Sequence, residues 1–124
     1  MGFWVSSLDD VPANGAFRKI RAALEVTAFG VNALVLPPGI VGRPHSHDTQ
    51  DELYFVHRGR ARFELPGETV ELGPGGLLHV ESTTPRCVSN PGDEDLVLLV
   101  VGGKDGYVPR DGRPADPEAL GRSD

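Results

Sequence analysis

A single cysteine, Cys87, excludes any intramolecular disulfide, and the count fits a reducing, cytoplasmic setting in which the thiol is buried and inert. No apolar run reaches the length needed to span a bilayer. The first residues also lack the basic region and apolar core of a secretory leader. A membrane is therefore not an expected partner. Lysine and arginine total 12 against 18 acids, and nowhere do they cluster into a stripe that could follow phosphates. Nucleic acid is excluded on the same footing. No internal repeat is visible, and 124 residues suit one domain that can bury a core without disulfide staples.

What the chain has in quantity is turn formers, Gly 16 and Pro 11. They punctuate a series of short apolar runs. Ala28–Leu36 ends at Pro37-Pro38-Gly39, Leu53–His57 at Arg58-Gly59, Ala61–Leu65 at Pro66-Gly67, and Val70–Leu72 at Gly73-Pro74-Gly75-Gly76. Leu77–Val80, Cys87–Val88 and Leu96–Val101 follow. About eight short strands at such spacing predict an all-β antiparallel sandwich or barrel. Before them, Asn14 is placed to cap a short helix reaching Leu24, with Phe17, Ile20 and Leu24 on one face. After Gly102-Gly103 the tail is rich in Pro, Gly, Asp and Arg and reads as an arm, partly disordered. The expected organisation is an N-terminal segment with a short helix (1–27), a barrel (28–103) and a C-terminal arm (104–124).

One stretch carries chemistry. Between Gly39 and Gly59 lie His45, His47 and Glu52. Residues i and i+2 of a strand share a face, so the two imidazoles can converge on one ion. Glu52 follows across a short polar loop at the head of the next strand. Two histidines and one carboxylate suit a divalent transition metal, Fe, Mn, Ni or Zn. By the same alternation Glu52, Tyr54 and Val56 share the metal face, while Leu53, Phe55 and His57 share the other. Tyr54 is then either a hydrogen-bond donor and general acid/base beside the ion, or a packed core phenol. His57 reads as structural or interfacial.

Those five positions, Gly39, His45, His47, Glu52 and Gly59, resemble the first motif of the cupin superfamily at every spacing. The resemblance implies a cupin-type jelly-roll barrel (an antiparallel double-stranded β-helix), a bound metal, a pocket for a small organic molecule, and a homodimer. Cupins of this build include dioxygenases, isomerases, lyases and cyclases, and fold alone does not choose among them. The expected function is a metal-binding cupin with oxidoreductase or isomerase-like chemistry; the alternative is a non-catalytic binding or sensor protein, with or without metal.

The family's second motif fits less well. Pro74 to His79 imitates it, but that placement leaves no room for the strands at 61–65 and 70–72. Starting at Gly75 puts Asn90 on the motif's asparagine and Pro85 before the ligand position. The ligand histidine is then replaced by Arg86. Arginine stays protonated and has no lone pair to give a metal. At about 4 Å from a divalent ion it is repelled by roughly 8 kcal/mol at an effective dielectric near 20, twice the unit-charge figure. Arg86 can swing away, pair with Glu52 in place of a metal, or project toward the pocket mouth and grip a substrate carboxylate or phosphate. His79 offers itself as a substitute fourth ligand or pocket base if it faces inward, and as an interface residue if it does not.

Overall fold

The computed structural model describes residues 2–120. Strands dominate it, and glycine-rich turns separate them. The larger sheet contains β1 (Ala13–Asn14), β2 (Phe17–Arg18), β3 (Gly30–Leu36), β5 (Asp51–Arg58), β8 (Leu77–Val80) and β10 (Leu96–Gly103), in the order β1-β2-β3-β10-β5-β8. All its pairings are antiparallel. Opposite it, β6 (Ala61–Leu65) lies between β7 (Glu68–Leu72) and β9 (Cys87–Ser89), while β4 (His45–His47) pairs with β11 (Gly112–Pro114). Bridges at Val41 with Ser89 and at His45 with Arg86 join these two groups into one curved layer. The chain is an all-β jelly roll.

The core fills the space between the layers. Val56, Ala61, Phe63, Leu96 and Leu98 are fully buried, with Leu36, Tyr54, Val80 and Val88 around them. Alternation decides which side chains go there: along β5, Tyr54 and Val56 point in, whereas Leu53 and His57 are exposed. At the end of β5, Gly59 takes φ +82, and a Cβ there would lie 2.5 Å from the Asp95 carbonyl oxygen. Only glycine fits that corner.

Two regions depart from the sequence expectation. Asn14 does not cap a helix. It closes the hairpin of β1 and β2, where Gly15 has φ +59 and Asn14 pairs with Phe17. The two-residue loop is Gly15-Ala16, with glycine at positive φ in the first central place, as a type II′ hairpin prefers, and it overrides the helical spacing of Phe17, Ile20 and Leu24. Helix α1 is confined to Ile20–Ala23. The tail, expected as an arm, leaves the barrel at Gly103 and then returns. Its β11 adds an edge strand to β4, and Leu120 is 2% exposed. The tail's last residues, 121–124, lie outside the described region.

Candidate metal centre

Strand β4 and the first residues of β5 carry the polar cluster. His45 and His47 flank Ser46 on β4, and Glu52 opens β5 on the inward face. His47 Nε2 lies 3.2 Å from Glu52 Oε1, and His45 Nε2 lies 4.0 Å from the same oxygen. The rings meet edge-on at 5.2 Å between centroids. Ligand atoms of His45, His47 and Glu52 all fall within 4.8 Å of one another, so the three could hold a metal ion. Tyr54, two residues on, donates its hydroxyl to Glu52 Oε1 at 2.7 Å and packs edge-on against Phe63. It is thus both a core phenol and a donor to the cluster.

Electrostatics suit the ligand role. Burial lowers the pKa of His45, with only partial compensation from the Arg43 carbonyl and Glu52, so its imidazole is neutral at neutral pH. Its Nδ1 lies 3.2 Å from the Arg43 carbonyl oxygen. A carbonyl can only accept, so Nδ1 carries the proton and Nε2 turns its lone pair toward the cluster. Burial alone would raise the pKa of Glu52, but His47, the Tyr54 hydroxyl and Arg86 outweigh it and keep the carboxylate ionised. Tyr54 is pushed well above the ordinary phenol range, first by burial and then by Glu52. It keeps its proton. His47 Nε2 is buried with no hydrogen-bond partner, because its approach to Glu52 is close but lacks hydrogen-bond geometry. A buried nitrogen without a hydrogen-bond partner beside a carboxylate suits metal ligation, and the donor set fits the group.

Arg86 enters the same cluster from the opposite strand. Its backbone exchanges two 2.9 Å hydrogen bonds with His45, which fixes it directly beside the first histidine. The side chain is completely buried and does not reach an outer pocket mouth. Nη2 donates to the carbonyls of Glu81 at 2.9 Å and Val80 at 3.3 Å. Nη1 stands 3.9 Å from Glu52 Oε1, and both Nη1 and Nε lack hydrogen-bond partners.

His79 is not brought to this centre. Strands β5 and β8 pair with Glu52 opposite Val80 and Leu53 opposite His79. Residue 80 therefore shares the inner face with Glu52, and His79 falls on the exposed outer face, lining a shallow groove with Phe29, Leu53 and Lys104. The fourth-ligand and pocket-base roles expected for it have no geometric basis. Two residues the sequence did not single out do reach the cluster. Gln50 Nε2 lies 2.9 Å from His47 Nδ1, and Asp111 Oδ2 lies 3.8 Å from that same atom. No spacing rule links position 111 to the first motif, since β11 brings it there from the tail.

A family model described as a cupin domain matches residues 33–102, more than half of the chain. The chain belongs to the cupin family. An oxalate-binding protein from Thermotoga maritima is 30% identical to this cupin over 66 residues, 53% of this chain and 54% of that protein. The cupin spans about half the length of the curated relatives it matches. Among solved structures, a cupin protein from Bacteroides fragilis superposes with a TM-score of 0.72 at 25% identity, covering 84% of this chain and 86% of that one. A sugar phosphate isomerase of the cupin superfamily from Silicibacter pomeroyi gives a TM-score of 0.72 at 22% identity, over 89% of this cupin and 80% of that chain. That second likeness speaks to the fold alone. No helix among the described residues is long and apolar enough to cross a membrane.

Proposed function

We propose that this cupin holds one divalent transition metal on His45, His47 and Glu52 and, beside it, a small organic anion gripped by Arg86. The observation that carries the reading is the guanidinium itself, fully buried, 3.9 Å from Glu52, with two nitrogens idle. Each unsatisfied buried polar group costs about 1–3 kcal/mol. A divalent ion, one guanidinium and one carboxylate leave an excess of positive charge in a low-dielectric centre. A carboxylate or similar oxyanion reduces that excess and occupies the idle N–H groups in a forked contact. Similarity to an oxalate-binding protein supports an acid ligand of this kind.

When bound, the metal supplies a Lewis acid or an oxygen-activating centre. The rest falls to the chain. Arg86 orients the anion, Tyr54 holds a proton on its hydroxyl against Glu52, and the core around Phe63 and Val80 excludes water. Binding without turnover is the leading reading. A metal-dependent oxidoreductase or isomerase-like activity is the second, favoured by the Tyr54 hydroxyl as a hydrogen-bond donor inside the centre.

A homodimer is part of the proposal. Leu53 is 43% and Leu77 62% exposed on the outer face of the large sheet, beside half-buried Phe55 and Val101. A second copy would cover them. Light scattering checks this, with Leu77→Lys expected to yield monomer.

The direct test is elemental analysis of protein purified without chelator or immobilised-metal resin. Near-stoichiometric Fe, Mn, Ni or Zn, with a lower melting temperature in EDTA, is the expected result. No metal at any supply, with melting indifferent to EDTA, would end the reading.

A further inference from the structure

The tail is bound to the segment that joins the two halves of the cluster. Strand β11 pairs Gly112 with His47 and Pro114 with His45, so it lies along the strand that carries both histidines. One residue before it, Asp111 is 7% exposed, and its Oδ2 accepts from the backbone N–H groups of Gln50 at 2.7 Å and Thr49 at 2.9 Å. Asp48 N donates to the Asp111 carbonyl, and Arg113 pairs with the Asp48 carboxylate at 2.6 Å. Every residue from Asp48 to Gln50, between His47 and the strand of Glu52, is therefore fastened by the tail. The Gln50 carboxamide in turn is confined. It lies against His47 on one side and Gly102 on the other, where a Cβ would come within 2.8 Å of Gln50 Oε1.

That confinement bears on which nitrogen of His47 can meet an ion. Nε2 is the atom facing Glu52, and it can ligate only when the ring proton is on Nδ1. The two ends of the Gln50 amide select between the states. With its nitrogen at Nδ1, the orientation the structure has, the amide donates, and the ring proton sits on Nε2 against Glu52. With its oxygen there, Nδ1–H donates and Nε2 is free. The Asp111 carboxylate, 3.8 Å from Nδ1, adds charge that favours the second state.

We propose that Gln50 and Asp111 are positioning residues of the metal centre, Gln50 by setting the tautomer of His47 and Asp111 by holding Gln50 and its loop in place. This rests on the metal-binding reading above. Hydrogen-bond partners that hold a metal-bound imidazole in one tautomer govern its affinity for the ion by about 10- to 100-fold.

Titration of Co(II) into chelator-stripped full-length protein, followed by visible absorption, tests it. Gln50→Leu removes the acceptor and is expected to weaken Co(II) binding by about 10-fold or more. Gln50→Glu, which offers only acceptors, is expected to bind at least as tightly as wild type. Both changes alter the packing against Gly102, so a merely structural role would weaken both alike. Asp111→Asn is expected to fall between them. In the metal-free proteins, 15N shifts of the His47 ring are expected to place the proton on Nδ1 in Gln50→Glu, a readout that needs no ion. Equal Co(II) affinity in wild type and Gln50→Leu would overturn the proposal while leaving the metal reading intact. Failure of wild type to bind Co(II), Mn(II) or Zn(II) would overturn both.

Discussion

Two stretches of chain face one another across the cluster, Gly39–Gly59 and Gly75–Asn90, and they have fared differently. The first keeps its corner glycine, both histidines and its glutamate. In the second, Gly75 and Asn90 stand where the motif has them, while Glu81, Thr83 and Arg86 stand at its proline, glycine and histidine. Asn90 is buried and staples its turn through three hydrogen bonds, to the Leu36 and Glu94 carbonyls and from Gly92 N. Removing it would leave those groups orphaned. Position 86 holds its place through backbone hydrogen bonds to His45, which any side chain permits. The side chain there is a fully buried cation whose Nη2 also serves the Val80 and Glu81 carbonyls. Within one stretch, Asn90 serves the turn and Arg86 faces the cluster.

Mutations sharpen this contrast. The largest effect is expected from His47→Ala, which removes the buried ligand nitrogen. Its metal content by elemental analysis should fall to background, a greater loss than outer partners cause, which is about 10- to 100-fold. Asn90→Ala should lower unfolding free energy by about 2–3 kcal/mol, roughly one per lost hydrogen bond, in a denaturant titration. Metal affinity per folded molecule should stay unchanged. Arg86→His should raise metal affinity about tenfold by calorimetry, through a fourth nitrogen ligand and a relieved repulsion. Such a rise would place position 86 beside the ion.

Acidity gives a smaller and graded effect. The pKa of His45 is lowered from 6.5 by burial, so the unfolded chain takes up its proton first as pH falls. Stability is fully present above pH 6.5 and declines from there down through the lowered folded value. Glu52 and Asp111, both depressed in the fold despite burial, extend that loss into the carboxylate range. Melting temperature against pH checks the order. Metal affinity should hold to a lower pH than an ordinary imidazole would allow. His79→Ala, on the outer face, should change neither metal content nor affinity.

Much of this was legible in the sequence, for identifiable reasons. Local alternation placed Tyr54 beside Glu52 and Leu53 away from it, and turn glycines marked most strand ends. The first motif was readable because its two histidines and glutamate are close in sequence and their spacing is set by one strand and one loop. Register between strands was not readable. Whether Glu52 faced position 79 or 80 depended on the β5–β8 pairing, and a shift of one residue moves a side chain to the other face. The roles of Gln50 and Asp111 were hidden for a related reason, since strand β11 returns from a polar tail with little apolar pattern to announce it.

The central claim is that Arg86 turns a three-ligand metal centre into a site for a metal and an anion together. Mn(II)-loaded protein titrated with oxalate and followed by electron paramagnetic resonance tests it most directly, because the spectrum separates protein-bound from stripped ion. Wild type is expected to show a changed, still protein-bound spectrum, and Arg86→Met to need at least about tenfold more oxalate, the cost of losing one charge-assisted contact. The same midpoint in both proteins, or ion stripped from both without a ternary spectrum, would contradict it.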